Sequence, residues 1–199
     1  MLFRKTILTL CFVLGLIISC NTAYAVPAVT GCLDLRWGDS LEQANSIMAN
    51  KGYKKIIHEG LGTGQAAYDG FFAGEPAEIT FYFINNQFYR VTAEMAWGSR
   101  LAAQQESIFT KAESILTSKY GPPDKTIYEP QSRVPNTTIL LGAKACDSWQ
   151  LSAGDGGDTV TISLFKQAGT FGDWGSRPGF VQAEYINRSL EQRLKSDGI

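Results

Sequence analysis

The sequence predicts an α+β fold in which one unit, a helix followed by antiparallel strands, occurs twice in tandem, with the helices packed on one face of a curved sheet. Two stretches with helical periodicity, 40–51 and 100–119, are each followed by segments rich in β-branched and aromatic residues. Short segments of the first half also return in the same order in the second half, which indicates an internal repeat. Short turns between consecutive strands favour antiparallel pairing.

The first predicted helix begins after Ser40, a suitable N-cap, and stops at Gly52. Its apolar residues share one face: Leu41, Ala44, Ile47 and Met48. The second helix ends at Gly121-Pro122-Pro123, because proline cannot continue a helix. Its apolar face consists of Leu101, Ile108, Ala112, Ile115 and Leu116. A short helix over 189–195 is expected to close the chain.

Eight strands are predicted from their β-branched and aromatic content. They are expected at 53–58, 66–73, 78–84, 87–95, 125–129, 146–152, 159–165 and 180–186. Asn85-Asn86, between the third and fourth strands, can adopt the positive φ angles of a tight hairpin. The helices would cover one face of the resulting sheet and leave the other face for solvent or for a partner.

The predicted repeat divides the chain into a signal peptide at 1–25, a first unit at 26–96 and a second unit with the C-terminal helix at 97–199. Both units carry a Trp-Gly pair at the start of their helix, Trp37-Gly38 and Trp97-Gly98. No Pro- or Ser-rich linker separates the units. We therefore expect them to share one core.

The N-terminus has the features of an export signal. Arg4 and Lys5 precede an apolar run over 6–19, which is too short to span a bilayer as a helix. The segment closes on Ala23-Tyr24-Ala25, a small-x-small pattern after which a signal peptidase cuts, so that the processed chain would begin at Val26. A second cleavage pattern overlaps it: Ile17-Ile18-Ser19-Cys20 is similar to a bacterial lipobox, in which the cysteine is lipidated.

Composition excludes several classes of protein. The chain of 199 residues is 44% hydrophobic with a net charge of −1, which excludes a disordered protein. The 18 basic residues are matched by 19 acidic ones and form no cluster, which argues against nucleic acid as a partner. Loss of Arg4 and Lys5 with the signal peptide leaves 16 basic residues against 19 acidic ones. No second apolar stretch approaches the length of a membrane span.

Two of the four cysteines, Cys11 and Cys20, lie in the signal segment. The remaining pair, Cys32 and Cys146, is predicted to form a disulfide, because exported proteins mature in an oxidising compartment. The alternative is a pair of unrelated buried thiols. A thioredoxin-type redox site is excluded, since no CxxC motif is present.

Three short motifs carry the resemblance of this chain to known proteins. They are Trp-Gly at each helix start, Lys119-Tyr120-Gly121-Pro122-Pro123, and the closing stretch from Ala183 to Leu190. With the tandem layout, they resemble a group of exported bacterial proteins, similar to β-lactamase inhibitory protein and more loosely to the small lipoprotein of the outer-membrane assembly machine. The resemblance implies a protein-binding or envelope role without catalysis, and it transfers no interface residue.

The candidates for chemistry are few. His58, the single histidine, lacks an orienting acid and a nucleophile at suitable positions, and one histidine cannot form a His-rich metal site. Asp155-Gly156-Gly157-Asp158 lacks the pattern of a calcium or phosphate loop and fits a turn between strands. Asp69 and Asp147 hold equivalent places in the predicted repeat, which allows a carboxylate pair, although repeated acids more often bond to turn backbones.

Aromatic residues supply the predicted binding site. Trp37, Trp97 and Trp149 are expected to pack in the core, at helix starts or within a strand. Trp174 and Phe171 lie in a glycine-rich stretch, where a loop on a rigid scaffold can present them to a partner.

Together these features favour an exported, non-enzymatic binding protein of the bacterial envelope, periplasmic or secreted, or anchored through a lipid on Cys20. Its partner is expected to be an extracytoplasmic protein, and no cofactor or metal is expected. The alternatives are a hydrolase that uses carboxylates and a carbohydrate or cell-wall binding module.

The export signal makes a direct prediction about processing. Cys20→Ala is expected to leave export intact, because the cut after Ala25 does not use the cysteine. Mass spectrometry of the exported protein should find Val26 at its N-terminus. A diacylglyceryl mass on Cys20 of the unmutated protein would contradict this prediction and support the lipid-anchored alternative.

Overall fold

The computed structural model describes residues 27–57, 61–95, 102–130, 132–133, 140–141, 144–154, 157–169 and 179–197. These residues form three helices, α1 (Leu41–Asn50), α2 (Ala102–Tyr120) and α3 (Arg188–Ser196). Their strands are β1 (Gly31–Cys32), β2 (Leu35–Arg36), β3 (Lys54–Ile56), β4 (Gln65–Phe72), β5 (Glu75–Ile84), β6 (Gln87–Met95), β7 (Lys125–Glu129), β8 (Ser132–Arg133), β9 (Leu140–Leu141), β10 (Lys144–Ser152), β11 (Thr159–Gln167) and β12 (Phe180–Asn187).

Eight of the strands form one antiparallel sheet in the order β3-β4-β5-β6-β12-β11-β10-β7. The middle of the sheet is the pairing of β6 with β12, where Ala93 lies opposite Ala183. The strands β1 and β2, and likewise β8 and β9, form separate two-stranded sheets. The sheet is therefore continuous from β3 at one edge to β7 at the other.

The predicted fold class, a tandem repeat of a helix followed by strands, is wrong. One large eight-stranded antiparallel sheet dominates the described residues, and the helices are few. The matched segments share the alternation and the turn residues that any strand of such a sheet requires, so their similarity does not define a repeated unit. The helices also do not share one face of the sheet, as the contacts of α3 show below.

Individual elements agree closely with the predictions. The strands predicted at 87–95 and 125–129 have those bounds in the structure. Ser40 is the N-cap of α1: its hydroxyl accepts a hydrogen bond from Gln43 N at 3.2 Å, and Gln43 Oε1 accepts one from Ser40 N at 2.7 Å. The Asn85-Asn86 turn has φ angles of 50° and 60°, as predicted for the hairpin between β5 and β6.

The core lies between the sheet and the helices α1 and α2, on what we call the helix face. Its sheet residues alternate along each strand and include Tyr68, Ile79, Phe81, Val91, Trp149, Ile162 and Leu164. From α1, Ala44 and Met48 enter the same cluster, and from α2, Ala112 and Leu116 do so. The two halves of the sheet thus contribute to one hydrophobic cluster.

Two of the tryptophans predicted to pack in the core do so. The ring of Trp37 stacks on Phe88 with centroids 4.8 Å apart, and its Nε1 donates a hydrogen bond to Val29 O at 2.6 Å. Trp149 is 1% exposed, and its Nε1 donates to Gly121 O at 2.9 Å. Trp97 lies outside the described residues.

The C-terminal helix α3 packs on the other face of the sheet. Leu190 and Leu194 are buried, and α3 contacts β5, β6, β11 and β12. Ile186 is also buried and points away from the helix face, because its neighbour Tyr185 lies in the core. Arg193 of α3 donates two hydrogen bonds to Asp158, at 2.5 and 2.8 Å. Asp158 directly precedes β11, so these bonds attach α3 to the connection between β10 and β11. These bonds hold the pKa of Asp158 below its usual value.

Across the described part of the chain, no helix has the length and the apolar character that a membrane crossing requires. The predicted signal peptide at 1–25 lies outside those residues.

Candidate functional site

Among the described residues, the sheet face opposite α1 and α2, called the open face here, is covered at one end, by α3. Its side chains follow from strand register, because successive residues point to opposite faces. In the central strands they are Glu78, Thr80, Tyr82, Arg90, Thr92, Glu94, Ser163, Phe165, Gln182 and Glu184. Most of them are partly exposed, so the open face is a broad surface of mixed polar and aromatic character.

A cluster of Tyr82, Arg90 and Glu184 lies on three central strands of the open face, beside the end that α3 covers. Tyr82 on β5 is directly opposite Arg90 on β6, and the Arg90 guanidinium lies 4.5 Å from the centroid of the Tyr82 ring. Arg90 Nε forms an ion pair with Glu184 Oε1 of β12 at 2.6 Å, and the two side chains are 32% and 22% exposed. Contacts between three neighbouring strands therefore order the side chains of Tyr82 and Arg90 in the unbound protein.

Carboxylates border this cluster. Glu94 lies opposite Glu78 on one side and opposite Gln182 on the other. Burial raises the pKa of Glu94, and the nearby charge of Glu78 raises it further. Like charges directly opposite each other on paired strands repel, which is the physical cause of this second effect.

The end of the open face away from α3 is aromatic. Phe165 of β11 and Phe180 of β12 are in contact, with ring centroids 5.6 Å apart. The chain that joins these two strands contains Phe171 and Trp174, and both of these residues lie outside the described ranges. The segment that contains the predicted binding residues thus follows β11 and precedes β12, the two strands that carry Phe165 and Phe180 on the open face.

The sheet separates the two acids considered as a carboxylate pair. Asp147 points to the helix face, where its Oδ1 accepts a hydrogen bond from Thr126 Oγ1 at 2.7 Å. Asp69 is exposed and points to the open face, since its neighbour Tyr68 lies in the core. The strands β4 and β10 are five spacings apart in the sheet, about 24 Å. The two carboxylates cannot act on one bond.

The disulfide predicted between Cys32 and Cys146 is wrong, because both thiols are free and the sheet lies between them. Cys32 packs against the core on the helix face, and burial raises the pKa of its thiol to about 12. Cys146 points to the open face, since Ala145 and Asp147 on either side point to the helix face. Its pKa is raised by burial and by Asp147.

A groove of about 710 Å³ lies on the helix side, between the β1–β2 ribbon and α2. Among its lining residues are Cys32, Lys51 and Lys119. Lys51 Nζ is paired with Asp34 Oδ2 at 2.5 Å. A thiol with a pKa near 12 is almost wholly protonated at neutral pH, so Cys32 is a poor nucleophile there. Within the described ranges, no group of three or more metal-ligating side chains occurs.

Several predicted site residues lie outside the described ranges: Cys20, His58, Trp97, Phe171 and Trp174. Of the acidic loop at 155–158, the described part fits a turn, because Ala153 N donates to Asp158 O at 2.9 Å and closes the loop between β10 and β11. The carboxylate of Asp158 accepts hydrogen bonds from Arg193 and thereby attaches α3.

Sequence analysis missed Tyr82, Arg90, Glu94 and Glu184 as site residues. The signal that could have found them is the polar half of the alternation in β5, β6 and β12. Residues directly opposite each other in paired strands share a face, but the sequence does not show which strands pair across the middle of the sheet or in which register.

No protein-family model, curated protein or solved structure matches this chain. The resemblance to β-lactamase inhibitory protein stays a prediction.

The positions of the two cysteines predict their reactivity. After denaturation without reductant, the processed protein should present two titratable thiols, since the sheet keeps Cys32 and Cys146 apart. In the native state Cys146 should react with a thiol reagent at least tenfold faster than Cys32, because Cys32 packs against the core and burial raises its pKa to about 12. Cys32→Ser and Cys146→Ser assign each rate. The absence of titratable thiols before reduction would contradict this arrangement.

Proposed function

We propose that this protein is an exported, non-enzymatic binding protein of the bacterial envelope, that its partner is another extracytoplasmic protein, and that the open face is the main contact surface. The N-terminal signal supports export to the periplasm or beyond, and Cys20 leaves a lipid anchor as the alternative. The partner class rests on the chemistry of the open face.

The observation that carries the proposal is the cluster of Tyr82, Arg90 and Glu184. Tyrosine and arginine are two of the residue types that contribute most to protein–protein binding energy. Here both are partly buried, lie on neighbouring central strands and are held by a cation–π contact and an ion pair. Side chains that are already ordered lose less entropy when a partner binds, so the cluster is suited to serve as an anchor.

The surroundings of the cluster favour a protein over a sugar. A carbohydrate site would need aromatic rings set out for stacking, whereas the exposed aromatics Phe71 and Tyr128 lie on strands near opposite edges of the sheet. Charged and polar groups around the cluster suit the hydrogen-bonded rim of a protein interface. The separation of Asp69 from Asp147 removes the pair on which a carboxylate hydrolase was considered.

The predicted binding residues Phe171 and Trp174 belong to the segment 170–178, which lies outside the described residues. It joins β11 and β12, whose ends carry Phe165 and Phe180 on the open face. We propose that Phe171 and Trp174 supply further aromatic anchors for the partner, because the strands that their segment connects end at these two rings.

Binding and stability should respond separately to substitutions. With a partner captured from envelope extract and then purified, Tyr82→Ala and Trp174→Ala should each raise the Kd at least tenfold, which corresponds to about 1.4 kcal/mol or more. Thermal unfolding should change little for both, because Tyr82 is not part of the buried core. The measurement is isothermal titration calorimetry beside a thermal melt.

Lys111→Ala on α2 is the matched control, since Lys111 is a half-exposed helix-side residue paired with Glu75. It should leave the Kd unchanged. Equal Kd values for the unmutated protein, Tyr82→Ala and Trp174→Ala would overturn the proposed surface. Loss of a hydrolytic activity in Asp69→Asn or Asp147→Asn would replace it with an enzyme.

A further inference from the structure

We propose that two copies of this chain associate through β7, which joins their sheets across a two-fold axis at Ile127. The occupant of this edge is a second copy of the same chain. The inference goes beyond the proposed function, because it concerns the edge of the sheet rather than the open face.

The strand β7 is the last in the order of the sheet and, among the described residues, pairs only with β10. All five of its residues are exposed. Two of them are large and apolar: Ile127 is 42% exposed and Tyr128 is 64% exposed. An edge strand with exposed apolar side chains is a template for pairing with another strand.

The sequence of β7, Lys-Thr-Ile-Tyr-Glu, is complementary to itself in the antiparallel direction. With Ile127 opposite Ile127 of the second copy, Lys125 lies opposite Glu129, and this pair occurs twice. Thr126 then lies opposite Tyr128, also twice. A two-fold interface must satisfy such a condition, because each residue of the patch meets the same patch on the other copy.

The faces of the two sheets agree in this register. Lys125, Ile127 and Glu129 point to the open face, whereas Thr126 points to the helix face, where it bonds to Asp147. Two ion pairs would therefore flank the central Ile127 pair on one side of the joined sheet. Glu129 also lies 3.6 Å from Lys144 of β10, but it is 63% exposed, so its carboxylate can accept a second lysine. The open faces of both copies would therefore form one side of the joined sheet, the side that carries the Ile127 pair and the two ion pairs.

The opposite edge of the sheet is not complementary to itself, although Ile57, which follows its strand, is 91% exposed. The strand β3 has three residues, two of which are Lys54 and Lys55. Antiparallel self-pairing centred on Lys55 would place two lysines directly opposite each other, which is unfavourable. Short length and lysines are common means of protecting a sheet edge. The chain thus protects β3 and leaves β7 open, which favours closed dimers over extended polymers.

A five-residue strand pair is a small contact, so the dimer should be reversible and depend on protein concentration. Sedimentation equilibrium of the processed protein, over micromolar to millimolar concentrations at low salt, should show a monomer–dimer equilibrium. Added salt should weaken it, because the two ion pairs are exposed to solvent.

Charge reversal tests the register. Lys125→Glu and Glu129→Lys should each weaken self-association about tenfold or more, since either change places like charges opposite each other at two positions. The double variant Lys125→Glu/Glu129→Lys restores both pairs and should dimerise again. A mixture of the two single variants should form a heterodimer more readily than either forms a homodimer. In that heterodimer one copy carries only acidic side chains at these two positions and the other only basic ones, so both cross-strand pairs are of opposite charge.

Lys54→Glu makes the same change of charge at the protected edge and should leave the dimer unchanged. Circular dichroism checks that each variant is folded. A protein that stays monomeric at every concentration overturns the proposal. So does a dimer that the single reversals leave unaffected, or one that the double reversal and the mixture fail to restore.

Discussion

The pairing of β6 with β12 is the interaction on which the rest of the structure depends. These strands are distant in sequence, yet six residue pairs from Val181–Met95 to Ile186–Arg90 join the two halves of the sheet. Their inward side chains, among them Val91, Ala93 and Ala183, belong to the single core cluster that α1 and α2 cover. Without this pairing, each half would expose one new strand edge, β6 in one half and β12 in the other, and part of its apolar face.

The same pairing creates the proposed binding surface. Arg90 on β6 reaches Glu184 on β12, so this ion pair on the open face spans the junction between the halves. The alternation that buries one set of side chains necessarily presents the other set on the opposite face. A continuous sheet also carries two outer edges. The two edges differ, because β3 is short and rich in lysine whereas β7 is longer and complementary to itself. This difference favours association of two copies through β7, as proposed above.

Local features of the sequence were sufficient to predict the three helices and the eight strands of the large sheet, but not the short strands β1, β2, β8 and β9. The capping box at Ser40, the Asn85-Asn86 turn and the strand over 125–129 follow from a few adjacent residues. Long-range features were not predictable in this way. The register of β6 against β12, the face on which α3 packs, and the opposite faces of Cys32 and Cys146 depend on contacts between distant segments. The candidate site was missed for the same reason, since its residues come from three strands.

Native-state hydrogen exchange, followed residue by residue, tests the central claim that one continuous sheet organises the molecule. The account predicts that amides of β6 and β12 exchange slowest and share one opening free energy with the buried strands β5 and β11, equal to that of global unfolding. Amides of β3 and β7 at the edges should exchange faster. Rapid exchange along β6 and β12, with the strands of the two halves opening independently at different free energies, would contradict the account.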